Sequence, residues 1–175
     1  ILNGHSGVDV LINNAGYGQY GAVEDTPIDT ARYQFEVNLF GLARLTQLLL
    51  PAMRERGKGL IVNISSVGGK IYTPLGAWYH ATKHALEGWS DSLRLELSQF
   101  GIDVVLVEPG IIRTGFADAL SDSFAVREDS PYRDLATKLR KASETSYAEG
   151  RGSPPNVVSN VILQALRASR PRTRY

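Results

Sequence analysis

The chain has 175 residues, 43% hydrophobic and 21% charged, with 19 basic against 18 acidic side chains. One soluble globular domain spanning 1–175 is expected, without the basic footprint that nucleic acid or an anionic membrane surface would need. Cysteine is absent, which excludes disulfide scaffolds, thiolate catalysis and Cys-ligated metal centres, and no apolar run approaches the roughly 18 residues of a membrane span.

The first residues, Ile1-Leu2-Asn3-Gly4, lack an initiator Met and a signal-peptide pattern and read as an internal start. Val8–Ile12 is a short β-branched run that predicts a buried strand. A helix is predicted from Thr30 to Arg56 on the spacing of Phe35, Leu39, Leu42, Leu45 and Leu49, with Pro51 kinking its last turns and Gly57-Lys58-Gly59 stopping it. Leu60–Ile64 predicts a second strand and Ile102–Val107 a third. Between them a helix is predicted over Trp78–Phe100, with Ala81, Ala85, Leu86, Trp89, Leu93 and Leu97 on its apolar side and Gly101 behind it. Strand, helix, strand, helix, strand predicts a parallel α/β sheet. Pro109-Gly110 breaks the pattern, and the polar stretch from Ile111 to Ser153, weakly helical over Asp134–Ala148, is where a lid is expected. Pro154-Pro155 opens a last helix, Asn156–Arg167, with Val157, Val161, Ile162 and Leu166 apolar. The arginines Arg167, Arg170, Arg172 and Arg174 read as a solvated turn. Three strands leave a bare edge, so further strands are expected upstream. No G-x-G-x-x-G phosphate loop is visible.

The chemistry concentrates in Ser66, Tyr79 and Lys83. Tyr79 and Lys83 are four apart at the start of a predicted helix and share a face, so the ammonium can lie near the phenol. A free phenol has a pKa of about 10 and is a poor acid or base near neutrality, and a nearby cation stabilises its phenolate. Ser66 follows the second strand at its carboxyl end, where open α/β sheets place ligand crevices. Alone, a Tyr-x-x-x-Lys spacing reads as an ordinary surface pair.

Several motifs agree in order and spacing: Asn13-Asn14-Ala15-Gly16 after the first strand, Val37-Asn38-Leu39-Phe40-Gly41 on the helix, Ile64-Ser65-Ser66, Tyr79-His80-Ala81-Thr82-Lys83, and Glu108-Pro109-Gly110-Ile111-Ile112-Arg113-Thr114. In these the chain resembles the short-chain dehydrogenase/reductase family, closely over about residues 8–116. The resemblance implies an incomplete Rossmann-like, doubly wound parallel sheet, lacking its N-terminal glycine-rich part, with a final strand expected after Arg172-Thr173-Arg174-Tyr175 and a substrate lid over 114–153. It implies a cytoplasmic oxidoreductase moving a hydride between NAD or NADP and a secondary alcohol or ketone, with a lipophilic, hydroxysteroid- or retinol-like substrate. Tyr79 would be the general acid/base. Lys83 would lower its pKa and hold the nicotinamide ribose, Ser66 would orient the substrate oxygen, and Asn38 would keep a water in the proton path. Asn14, Ala15 and Gly16 would line the adenosine side, while Pro109, Gly110, Ile112 and Thr114 would frame the carboxamide. The residues that choose NAD or NADP would precede this chain. A homodimer or homotetramer through helices 30–56 and 78–100 is expected, although those faces could simply cover the sheet.

Other features have competing readings. His80 and His84 sit i, i+4 on a helix but bring no carboxylate, so no metal site is expected. Val67, Ile71, Tyr72, Leu75, Trp78 and Phe116 could line a substrate pocket or be packing, and Asn13 could be a site residue or only bridge strands. A truncated α/β module without cofactor affinity is the alternative to an enzyme. A serine hydrolase on Ser66 lacks the G-x-S-x-G elbow.

Overall fold

The computed structural model describes residues 7–116, 120, 123–124, 126–127, 129–148 and 152–175, so the first six residues and parts of the expected lid lie outside the described residues. Three parallel strands, β1 (Val10–Asn13), β2 (Gly59–Ile64) and β3 (Ile102–Val107), form one sheet in that order. The register sets Leu11 beside Ile61 and Ile61 beside Val104. These three join one buried core with Leu49 and Met53 of helix α2 (Gly41–Arg56) and Leu93 and Leu97 of helix α3 (Ala77–Leu97). Among the described residues β1 pairs only with β2, and its Val10 and Ile12 are 36% and 42% exposed.

The helix expected from Thr30 onwards is built in three pieces. Helix α1 (Ile28–Phe35) passes into a π-helical turn, Glu36–Phe40, which continues as α2 through Pro51 to Arg56. The turn is closed by Gly41 N–H donating to the Glu36 carbonyl, five residues back, which inserts one residue into the helical count. The buried positions are therefore Ala31, Gln34, Asn38, Leu42, Thr46, Leu49 and Met53, and Leu45, expected on the apolar face, is 43% exposed. The inward face of α3 also differs from expectation. It is Tyr79, His80, Thr82, Lys83, Leu86, Glu87, Ser90, Leu93 and Leu97, with Ala81 exposed, because its first half faces a polar site rather than the core.

A polar ladder runs through the sheet between the helices. Asn13 Nδ2 donates to Asn63 Oδ1 at 2.8 Å and to Thr46 Oγ1 at 3.3 Å, and Asn63 Nδ2 donates to Ser90 Oγ at 2.9 Å. Asn13 thus bridges strands.

Beyond β3, helix α4 (Arg133–Tyr147) and helix α5 (Asn156–Arg167) follow. Rather than lying loose, α4 contributes Ala136, Leu139 and Tyr147 to a second core with Tyr20, Ala22, Leu75, Phe116, Leu120 and Phe124. In α5 the buried residue is Ala165, while Val157 and Leu166, expected to be apolar contacts, are exposed.

The arginine-rich tail corrects two expectations. Thr173–Tyr175 runs beside β3, Leu106 N–H donating to the Thr173 carbonyl and Tyr175 N–H to the Leu106 carbonyl, so strand pairing begins within this segment rather than after it. Arg174 is not a solvated turn residue. Its guanidinium reaches Asp91 at 2.6 Å, Glu108 at 3.0 Å and Glu87 at 3.2 Å, three carboxylates that strand pairing brings to it.

Two glycines end the long helices as the sequence anticipates. Gly57 (φ +65°) and Gly101 (φ +68°) both lie in the left-handed region. A Cβ on Gly57 meets nothing within 4 Å, whereas one on Gly101 would stand 2.5 Å from the Gly57 carbonyl oxygen. Gly57→Ala is expected to cost about 1 kcal/mol, the left-handed penalty alone, and Gly101→Ala distinctly more. Urea unfolding of the two variants measures that order directly.

Candidate active site

The carboxyl ends of the three strands deliver the site. Ser65 and Ser66 leave β2 and are anchored to the neighbouring chain, Ser65 N–H donating to the Val107 carbonyl at 2.8 Å and Val67 N–H to that of Pro109 at 3.0 Å. Ser66 is extended (φ −169°, ψ 159°) and its Oγ accepts from Gly68 N–H at 3.0 Å, capping a short 3-10 turn, Val67–Gly69. Helix α3 then places Tyr79 and Lys83 one turn apart, both buried.

These side chains open on a cavity of about 670 Å³. Its lining includes Asn14, Gly16, Ser65, Pro109, Gly110, Ile112 and Thr114, the largely apolar set Tyr20, Ile71, Phe116, Leu120, Tyr147, Val158 and Ile162, and Ser66, Tyr79 and Lys83. Lys83 is the one charged lining residue among those described. Of the apolar candidates from sequence, Val67, Ile71 and Phe116 line the cavity. Leu75 belongs to the second core, Tyr72 is 86% exposed, and Trp78 is outside the lining.

Asn38 and Ala15 are not in the lining. Asn38, turned inward by the π-helical turn, accepts from Tyr17 N–H at 3.0 Å and donates to the Tyr17 carbonyl at 2.9 Å and to Thr82 Oγ1 at 3.1 Å. It fastens the segment after β1 to α3. Gly16 passes so close that a Cβ there would lie 3.2 Å from Asn38 Oδ1 and 3.8 Å from Lys83 Nζ.

Burial dominates the electrostatics. It pushes the Tyr79 phenol up to about 12, against a hydrogen bond from Ser66 that pulls the other way. Burial also pushes the Lys83 ammonium down to about 8, opposed by the Glu87 charge, while its Nζ donates to the Ile64 carbonyl at 2.9 Å. The phenol is therefore raised by desolvation rather than lowered by Lys83 as expected. Behind Lys83, burial works against the Glu87 carboxylate, but the Lys70 ammonium 2.7 Å away holds it below its usual range. Glu108 is pushed up by burial and by the Glu87 charge.

The two histidines serve main-chain contacts. His80 engages Gly68 through Nδ1 and Thr73 through Nε2, and His84 Nδ1 lies 2.8 Å from the His80 carbonyl oxygen. Sequence reasoning missed Tyr17, Tyr20 and Tyr147, which reach the cavity from a loop and from the end of α4 without any local pattern to announce them. It named Leu75 as pocket or packing but not its backbone conformation. Its φ of +61°, in the left-handed region, is held by packing and by Gly21 N–H donating to its carbonyl at 2.8 Å.

Comparison with known proteins agrees with this geometry. The profile of the short chain dehydrogenase family matches residues 1–124. The uncharacterized oxidoreductase YusZ of Bacillus subtilis is 36% identical over 176 residues, covering 99% of this chain and 62% of the relative. The NADPH-dependent 3-dehydrocapnine reductase of Ornithobacterium rhinotracheale is 35% identical over 176 residues, covering 98% and 62%. The crystal structure of a short-chain dehydrogenase from Streptomyces avermitilis superposes with a TM-score of 0.82 at 39% identity, covering 99% of this chain and 61% of that one. The chain spans about three-fifths of the length of each of these proteins. With its parallel sheet, its serine at the end of β2 and its Tyr-x-x-x-Lys pair on α3, this chain belongs to the short-chain dehydrogenase family.

Proposed function

We propose that the chain carries the catalytic residues of an oxidoreductase that moves a hydride between NAD or NADP and a lipophilic secondary alcohol or ketone, hydroxysteroid- or retinol-like in size and polarity. The observation that carries this reading is the Tyr79 phenol. It is buried in the wall of a largely apolar cavity at the carboxyl ends of parallel strands, with Ser66 in the same wall and Lys83 one turn along. The names of the relatives, an oxidoreductase and an NADPH-dependent reductase, support an enzyme over a truncated module without cofactor affinity.

The residues present fit one end of a nicotinamide dinucleotide. A Cβ on Gly110 would find only Val67 Cγ1, at 4.0 Å, so the backbone there faces open cavity, and the adjoining walls are uncharged apart from Lys83. Asn14, Gly16, Pro109, Gly110, Ile112 and Thr114 would hold that end, with Ala15 shaping the segment between Asn14 and Gly16. The nicotinamide supplies the hydride donor or acceptor. Tyr79 holds a proton at Oη for the substrate oxygen, Ser66 Oγ orients that oxygen, and the Lys83 charge favours the phenolate as it forms. Asn38 acts through the main chain of Tyr17. The aromatic and aliphatic part of the lining, Tyr20, Ile71, Phe116 and Tyr147 among it, supports the lipophilic substrate. Exposed Phe40, Leu45 and Leu48 on the α2 side and Leu95 on α3 support a homodimer or homotetramer through these helices.

Tyr79→Phe is expected to lower kcat/KM by about 10²–10⁴-fold, the usual worth of a general acid, with an unchanged far-ultraviolet circular dichroism spectrum. Turnover at the wild-type rate would refute the assignment. The pH profiles have a definite sign. Tyr79 stays protonated up to about 12 and Lys83 keeps its charge below about 8. Ketone reduction is therefore flat through neutrality and declines as pH rises past Lys83, whereas alcohol oxidation, which draws on the phenolate, climbs with pH. Initial rates in both directions test this, and an oxidation rate indifferent to pH would exclude Tyr79 as the proton acceptor.

A further inference from the structure

We propose that His80 is a positioning residue of this site, its neutral imidazole clamping the segment after β2 so that the Ser66 hydroxyl is set against the Tyr79 phenol. The inference rests on the roles of Ser66 and Tyr79 proposed above.

The ring bridges two stretches of main chain. Nδ1 lies 2.9 Å from the Gly68 carbonyl oxygen, which can only accept, so Nδ1 carries the proton. Nε2 lies 3.1 Å from Thr73 N–H, which can only donate, so Nε2 presents its lone pair, and Thr73 Oγ1 stands 2.9 Å from the same atom. One tautomer satisfies both contacts.

The residue that Nδ1 grips is the one that spaces these two side chains. Gly68 N–H donates to Ser66 Oγ, and a Cβ on Gly68 would lie 3.0 Å from Tyr79 Cε1 and 3.3 Å from Ser66 Oγ. Any drift of Gly68 is therefore a drift of the serine against the phenol. The imidazole is itself wedged. It meets Tyr79 and Tyr20 edge-on, with centroids 5.7 Å and 6.0 Å away, and a Cβ on Gly76 would come within 2.7 Å of the ring. A chain of hydrogen bonds thus runs from Thr73 through His80 and Gly68 to Ser66, beside Tyr79.

Imidazole suits this place because it presents a donor and an acceptor at opposite ends of one rigid ring. Asparagine could keep the bond to Gly68 but not the one to Thr73. A structural histidine with no bearing on the chemistry would make no distinction between these halves in turnover.

The test has two arms. In ¹⁵N-labelled protein, long-range ¹H–¹⁵N correlation reads the tautomer, and amide hydrogen exchange reads the Gly68 N–H. The expected result is a proton on Nδ1, with Gly68 protection lost in His80→Ala and largely kept in His80→Asn. Cyclohexanol oxidation with NAD and with NADP then gives the kinetics. His80→Ala is expected to lower kcat by up to about 10²-fold, as for a misplacement of about 1 Å, with KM little changed and partial recovery in His80→Asn. In a Ser66→Ala background, His80→Ala should cost little more, because its effect passes through that hydroxyl. A proton on Nε2, unchanged Gly68 exchange in both variants, or fully additive losses in the double variant would overturn the proposal. If the wild-type protein shows no turnover, the oxidoreductase reading fails, while the tautomer and the Gly68 exchange still decide whether His80 holds the turn.

Discussion

The hydrogen bond from Asn13 to Asn63, 2.8 Å long and buried in the middle of the sheet, is the constraint on which the site depends. An amide buried on a strand must be satisfied or it costs about 1–3 kcal/mol, and here Asn63 accepts from Asn13 while donating to Ser90. The pair holds β1 to β2 in one register and reaches Thr46 on α2 and Ser90 on α3, so both helices are tied to the same point. Every functional segment begins just beyond it. Asn14 to Gly16 leaves β1, Ser65 and Ser66 leave β2, and α3, held at Ser90, carries Tyr79 and Lys83 back over the strand ends.

Once there, the two ionisable groups are moved in opposite directions by one cause. Removing Tyr79 and Lys83 from water disfavours the charged form of each, raising the phenol to about 12 and lowering the ammonium to about 8. The two values, 10.0 and 10.5 for the free groups, are thus driven apart, and the ammonium gives up its proton well before the phenol does. The carboxylate of Glu87 resists the second shift from behind, and it is held charged by Lys70 and contacted by Arg174. The C-terminal strand segment thereby joins the site's electrostatics without entering the cavity.

Much of this could be read along the chain. The three strands, the long helices and their glycine stops follow from local patterns, whereas Ser66, Tyr79 and Lys83 stand out only through the resemblance of several ordered motifs to one family. Features set by distant partners could not be read. The π-helical turn that buries Asn38 is closed by a bond five residues long, and it shifts the apolar stripe so that Leu45 faces out. The first half of α3 looks apolar on the face of Ala81 and Ala85, yet the inward face is polar because Asn38, Ile64 and Gly68 offer it hydrogen-bond partners. Arg174 reads as a solvated arginine until pairing with β3 carries it to three acidic groups.

The sequence by itself determined the alternation of strand and helix, the absence of thiol chemistry and the identity of the Ser, Tyr and Lys side chains, because these rest on composition and short-range periodicity. Tertiary structure alone decided which phenols wall the cavity, which way the two pKa values move and what His80 holds. Those are properties of desolvation and of contacts between residues far apart in the chain, and neither has a local signature.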